Sequence, residues 1–179
     1  MTIPNLITTL RIILTPIFII YLLNRQFGAA LIMFIACGVS DGLDGFLARV
    51  LHQKSTLGAY LDPIADKLIL VSTYVVLSVM GSIPIWLAVT VLSRDVMISL
   101  GVIVLVIYRM DIQIHPSFVS KITTCLQFIT VISVLAAEYA DISETILVWL
   151  FPMTAVATIT SGLHYIHAWF KMMGEGVGE

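Results

Sequence analysis

Long apolar runs separated by short polar breaks dominate this chain. Six runs are drawn, at about residues 8–23, 27–50, 58–80, 84–108, 118–138 and 144–170. Each approaches or exceeds the roughly 20 residues that an α-helix needs to cross a bilayer. The breaks fall at Asn24-Arg25-Gln26, at His52-Gln53-Lys54-Ser55, at Gly81-Ser82-Ile83-Pro84, between Arg109 and Pro116, and between Glu138 and Ser143. Short separators carrying polar residues, Gly or Pro suit antiparallel neighbours. The pattern predicts an all-α integral membrane protein with six transmembrane helices, forming a single domain over 1–179. Ahead of the first run, Pro4 to Arg11 leaves room for a short N-terminal interfacial segment, in which Asn5, Thr8 and Arg11 share a helical face. A cap followed by an arginine that snorkels to the interface explains the same residues equally well. Pro16, inside the first run, and Pro63 predict kinks that neighbouring helices absorb.

Composition closes the soluble reading. Of the 179 residues, 59% are hydrophobic and 11% charged, against roughly 25% charged in a soluble domain. A net charge of −2, with no basic stretch interleaved with aromatics, offers nothing to nucleic acid. Cys37 and Cys125 both sit in apolar runs, which predicts buried, unreactive thiols rather than a disulfide. The opening MTIPNLITTLR lacks the basic start of a signal peptide and is read as mature sequence. Cations set the orientation. With six spans, Arg11, Arg49, Lys54, Arg109, Lys121 and Lys171 gather on one face. Arg25 stands on the other, with Glu138, Asp141 and Glu144. The cation-rich face is expected to be cytoplasmic, or matrix in a mitochondrion, with a bacterial inner membrane favoured.

Four aspartates interrupt the apolar pattern of the second and third runs: Asp41, Asp44, Asp62 and Asp66. Spacings of three and four residues put each pair on one face of its helix. Counted from the polar turn, they lie about 9–18 Å deep on the cation-rich side. Each carboxylate in a span costs roughly 2.5–3.5 kcal/mol even on a lenient scale. Only Arg49 and Lys67 stand nearby in sequence to compensate. Hard oxygens converging from two helices suit Mg²⁺ or Mn²⁺, and with it phosphate chemistry. Structural ion pairs, with some acids protonated, are the alternative. Gly38 and Gly42 fit close helix packing, while Gly45 and Ala48 leave space beside the acids. A divalent-cation transporter is a further alternative, although the acids cluster at one face and no acidic path continues across. A non-catalytic lipid-binding scaffold is a third.

The spacing Asp41-x2-Asp44-Gly45-x2-Ala48-Arg49-x8-Gly58-x3-Asp62-x3-Asp66 resembles, at all eight fixed positions, the signature of the CDP-alcohol phosphatidyltransferases. A chance match has a probability below about 10⁻⁹ per starting position. The opening Pro4-Asn5-x2-Thr8-x2-Arg11 extends the resemblance over essentially the whole chain, most closely 1–125. The resemblance implies an integral enzyme that moves a phosphatidyl group from CDP-diacylglycerol to an alcohol and releases CMP. It further implies two divalent ions, Mg²⁺ or Mn²⁺, held by Asp41, Asp44 and Asp62, with Asp66 sharing the metal site and acting as general base. Gly45, Ala48, Arg49, Thr56 and Gly58 would order the CDP moiety, and a homodimer is expected.

For the acceptor alcohol, Ser93-Arg94-Asp95 and Ser120-Lys121 offer two readings. Arg94 and Lys121 could form a cationic wall for an acceptor phosphate. Equally, Arg94 and Asp95 could be an internal ion pair. Ser93-Arg94-Asp95-Val96-Met97 and Pro116-Ser117-x2-Ser120-Lys121-x2-Thr124-x2-Gln127 are most similar to the CMP-forming cardiolipin synthase branch, whose acceptor is phosphatidylglycerol. The branch that uses glycerol 3-phosphate is almost as similar. It typically carries a second arginine where this chain has Val102.

Overall fold

The computed structural model describes the backbone of residues 3–50, 56–107, 118–141 and 145–176. Side chains are described for 9–40, 67–101, 118–141, 145–167 and 169. Six α-helices follow one another: α1 (Ile3–Leu23), α2 (Phe27–Val50), α3 (Thr56–Met80), α4 (Ile85–Ile107), α5 (Phe118–Ala140) and α6 (Thr145–Gly176). Expected boundaries hold to within a few residues, except at the two ends of the chain. There, α1 begins at Ile3, so the stretch with room for an interfacial segment is helical and continuous with the first run. No Gly or polar cluster interrupts it, and Pro4 near the helix start loses no internal hydrogen bond. Pro16 lies inside α1 and Pro152 inside α6. The His52–Ser55 turn and the break from Arg109 to Pro116 lie outside the described residues.

Two connections show why the helices stop where they do. After α1, the amide of Gln26 bonds to the Tyr21 carbonyl and that of Arg25 to the Leu22 carbonyl, both at 2.9 Å. After α3, Ser82 bonds to Leu77 at 2.9 Å and Gly81 to Ser78 at 3.2 Å. Both are Schellman caps, which require a left-handed residue one position past the cap. Gly81 fills that position with φ 86° and Arg25 with φ 57°. For a side-chain-bearing residue this conformation costs roughly 1–2 kcal/mol. No neighbouring atom comes within 4 Å of a Cβ built on Gly81, so Gly81→Ala should destabilise by about 1 kcal/mol through backbone strain alone. Arg25→Gly should do the reverse. Thermal midpoints in one detergent check the pair, and shifts of the same sign would contradict it.

Contacts divide the chain into two compact units, residues 1–83 with 131–144 and residues 84–130 with 145–179. In the first unit α1 packs against both α2 and α3. Its core positions keep helical spacing: Phe18 and Leu22 on α1, Ala30, Phe34 and Cys37 on α2, Thr73, Tyr74 and Leu77 on α3. The rings of Phe18 and Phe34 meet with centroids 5.8 Å apart. Ser82 donates a hydrogen bond to Glu138, and α5 ends two residues later than expected. In the second unit α4 packs on α6, and α6 hydrogen-bonds α5.

Among the described residues, α5 and the 145–167 stretch of α6 are long and apolar enough to cross a membrane, each with a mean hydropathy of 1.7. Thr9–Leu23, Phe27–Ser40 and Lys67–Met80 are shorter apolar stretches. Large apolar side chains face outward, Ile32, Val79, Trp149 and Val156 among them. The all-helical, six-helix architecture is consistent with a membrane protein. Both cysteines are free, Cys37 buried as expected but Cys125 exposed. Thr123 and Gln127 take the inward face of α5, which leaves Cys125 on the outside.

Candidate functional site

The four aspartates lie on helical backbone, which is the premise of the face argument. Asp41 and Asp44 fall in the last three turns of α2, and Asp62 and Asp66 in the first three turns of α3. Counted from Val50 and Thr56, the ends of the two helices, all four are about 9–15 Å along their axes. Gly45, Ala48 and Arg49 occupy the same end of α2, and Thr56 and Gly58 the first turn of α3. The side chains of all these residues lie outside the described set. Described residues alone contain no group of three metal-ligating side chains.

Both acid-bearing helices pack on α1, and α1 contributes a buried cation to their unit. Arg11 is only 3% exposed, which removes the snorkelling reading. Thr15, one turn on, is buried too and donates from Oγ1 to the Arg11 carbonyl at 2.8 Å. Arg11, Thr15, Phe18 and Leu22 share one inward stripe. The i, i+3 recurrence of Asn5, Thr8 and Arg11 is the sequence signal for it, whereas sequence proximity alone pointed to Arg49 and Lys67.

Arg94, on α4, is the best-defined charged group of the second unit. The side chains of Arg94 and Asp95 are 8% and 7% exposed, and Nη1 bonds to Oδ1 at 2.7 Å. Nη2 donates twice, to Oγ of Ser120 on α5 at 2.6 Å and to Oγ of Ser161 on α6 at 2.9 Å. Nε is buried without a hydrogen-bond partner. The Tyr165 ring centroid lies 6.0 Å from the guanidinium carbon, at the outer limit of a cation–π contact. The internal ion pair is therefore real, and the guanidinium ties three helices together. Lys121, the other residue of the expected cationic wall, is exposed one position beyond Ser120. Val102 lies on α4, its side chain outside the described set.

Beside Arg94, a cavity of about 180 Å³ opens between α4 and α6. Thr90, Ser93, Met97, Thr158, Gly162 and Leu163 contribute to its lining. At Gly162 a Cβ would come 3.2 Å from Cε of Met97, so the methionine end would have to give by a few tenths of an ångström. Further along, α5 and α6 share a polar seam. Thr123 donates to the Ala157 carbonyl at 3.0 Å, Gln127 Nε2 to Thr158 at 3.2 Å, and Thr130 pairs with Thr154 at 2.7 Å. Of these, sequence reading singled out only Gln127, through the resemblance. The 123, 127, 130 and 154, 158, 161 spacings, both +4 then +3, were the missed signal.

Comparison with known proteins completes the picture. A human protein named cardiolipin synthase (CMP-forming) is 36% identical over 186 residues, 93% of this chain and 61% of the relative. A Drosophila melanogaster protein named probable cardiolipin synthase (CMP-forming) is 30% identical over 193 residues, 97% of this chain and 60% of its own. A CDP-diacylglycerol–glycerol-3-phosphate 3-phosphatidyltransferase of Pseudomonas fluorescens is 45% identical over 105 residues, 55% of this chain and 53% of its own. The chain thus spans about three-fifths of the length of the relatives it matches most fully. The family model for CDP-alcohol phosphatidyltransferases matches residues 1–167, from the buried arginine stripe of α1 through both acid-bearing helices to the Arg94 cluster. The chain belongs to the CDP-alcohol phosphatidyltransferase family.

Proposed function

We propose that this protein is a membrane-embedded transferase that moves a phosphatidyl group from CDP-diacylglycerol to phosphatidylglycerol, yielding cardiolipin and CMP. The observation that carries the acceptor assignment is the extent of similarity. Relatives named cardiolipin synthase align over 93% and 97% of the chain, so the likeness includes α4 to α6 as well as the acids. Glycerol 3-phosphate is the second reading, favoured by the 45% identity to the bacterial enzyme named for it.

An all-carboxylate donor set on two helices that share α1 as packing partner fits Mg²⁺ or Mn²⁺. Asp41, Asp44 and Asp62, with Asp66 sharing, would hold two such ions. Charge neutralisation at the pyrophosphate and at departing CMP is the chemistry they supply when bound. Asp66 accepts the proton of the attacking hydroxyl, whose oxygen forms the new bond to phosphorus as the bond to CMP breaks. Gly45, Ala48, Arg49, Thr56 and Gly58 order the CDP moiety. Arg94 and Lys121 set the electrostatics at the acceptor, and the protein acts as a homodimer.

All six helices cross the membrane in this proposal, as a single domain over 1–179. The shortest, α1, has 21 residues, about 31 Å at 1.5 Å per residue. Cation placement puts the acids in the cytoplasmic half, or the matrix half in a mitochondrion, with a bacterial inner membrane favoured. In a Cys37→Ser/Cys125→Ser background, single cysteines at Lys54 and Asp141 should label from opposite sides. Labelling from one side would end the six-span topology. Purified protein, offered labelled CDP-diacylglycerol and both acceptors in mixed micelles, should make cardiolipin with Mg²⁺ or Mn²⁺. Phosphatidylglycerophosphate as the dominant product would hand the assignment to the second reading.

A further inference from the structure

A guanidinium can grip a phosphate with two parallel hydrogen bonds along only two of its edges that present charge forward: side-on through Nε and Nη2, or end-on through Nη1 and Nη2. Both edges need a hydrogen of Nη2. In Arg94, Nη2 has two hydrogens, and both are spent inside the protein, on Ser120 at 2.6 Å and Ser161 at 2.9 Å. Nη1 spends one of its two hydrogens on the Asp95 carboxylate, which cancels the charge locally. The Nε hydrogen is buried but unspent, so Nη2 is the nitrogen with nothing left to give. We infer that Ser120 and Ser161 are specificity-determining residues, which by occupying Nη2 deny Arg94 a two-bond grip on a phosphomonoester and bias acceptor choice toward a membrane-anchored phosphodiester. The inference rests on the proposed place of Arg94 beside the acceptor.

The physical consequence is selective. Glycerol 3-phosphate brings a dianionic phosphate from water and depends on cationic grip for its affinity. Phosphatidylglycerol carries one phosphodiester charge and is concentrated by its acyl chains. Neutralising Arg94 and closing its fork therefore penalises the first acceptor far more than the second. Lys121, exposed beside Ser120, supplies a point charge without a fork.

The test is competition between the two acceptors in mixed micelles. Ser120→Ala and Ser161→Ala should each shift the product ratio about threefold toward phosphatidylglycerophosphate, and the double variant about tenfold, the equivalent of roughly 1.4 kcal/mol. The shift should appear as a lower KM for glycerol 3-phosphate. Ser161→Thr, which keeps the hydroxyl, should restore the wild-type ratio. Adding Arg94→Lys to the double variant should abolish the gain, since lysine has no fork. A ratio unchanged within twofold in variants whose thermal midpoint shows them folded would overturn the inference. So would a gain that survives Arg94→Lys. Wild-type protein inert toward both acceptors would instead defeat the acceptor reading itself, which keeps the two failures apart.

Discussion

Asp66→Asn should reduce turnover by about 10²–10⁴-fold, the range a positioned proton acceptor contributes, while metal-dependent binding of CDP-diacylglycerol survives. The amide is nearly isosteric with the carboxylate but cannot accept the acceptor's proton. Asp44→Ala should lose both turnover and binding, because it removes an oxygen ligand rather than a base. Equilibrium binding of a fluorescent CDP-diacylglycerol, with and without Mg²⁺, separates the two effects. A near-wild-type rate for Asp66→Asn would remove Asp66 as the base. Loss of binding in both variants alike would make it one more metal ligand.

Asp95→Ala should be the most destabilising single change in the second unit, by about 3–5 kcal/mol. It leaves a guanidinium only 8% exposed without its counter-charge, held by the Ser120 and Ser161 hydroxyls alone. Replacing Arg94 by Met in the same chain removes the stranded charge and should recover much of the loss. Unfolding by denaturant in mixed micelles, run as a double-mutant cycle, measures the coupling. The pair is also largely sheltered from ions, so added salt should change its coupling little. Additive effects of the two substitutions would mean that Arg94 leans on its hydroxyl partners and hardly on the carboxylate.

Much of the architecture was legible in the sequence because each break carries its own chemistry. Asn24-Arg25-Gln26 and Gly81-Ser82 stand at the two Schellman caps, and one of them holds the glycine that such a cap favours. The neighbouring pair Arg94-Asp95 was legible as one of two readings, since adjacency is visible in one dimension. Its partner Ser161 lies 67 residues away on another helix, and no local pattern could announce it. Burial of Arg11 was missed for a related reason. Charge compensation was sought along the chain, whereas α1 brings a cation to the acid-bearing helices across space. The exposed Cys125 shows the limit of hydropathy: an apolar neighbourhood in sequence does not say which side of a helix faces in. The helical backbone at Asp41, Asp44, Asp62 and Asp66 was legible from their spacing of three and four residues.

The seam between α5 and α6 has a consequence for how the protein is built in the cell. Its hydroxyls are not stranded before they meet: Thr123, Thr130 and Thr158 each also donate to a carbonyl four residues back in their own helix. A lone α5 or α6 can therefore enter lipid without an unsatisfied hydroxyl at those positions. Gln127 adds a bond across the seam, donating from Nε2 to Thr158 on α6 at 3.2 Å. Only residues 141–144 separate the two helices. Insertion of either helix thus need not wait for the other, and the cross-helix bonds of the seam can form afterwards, once both lie side by side.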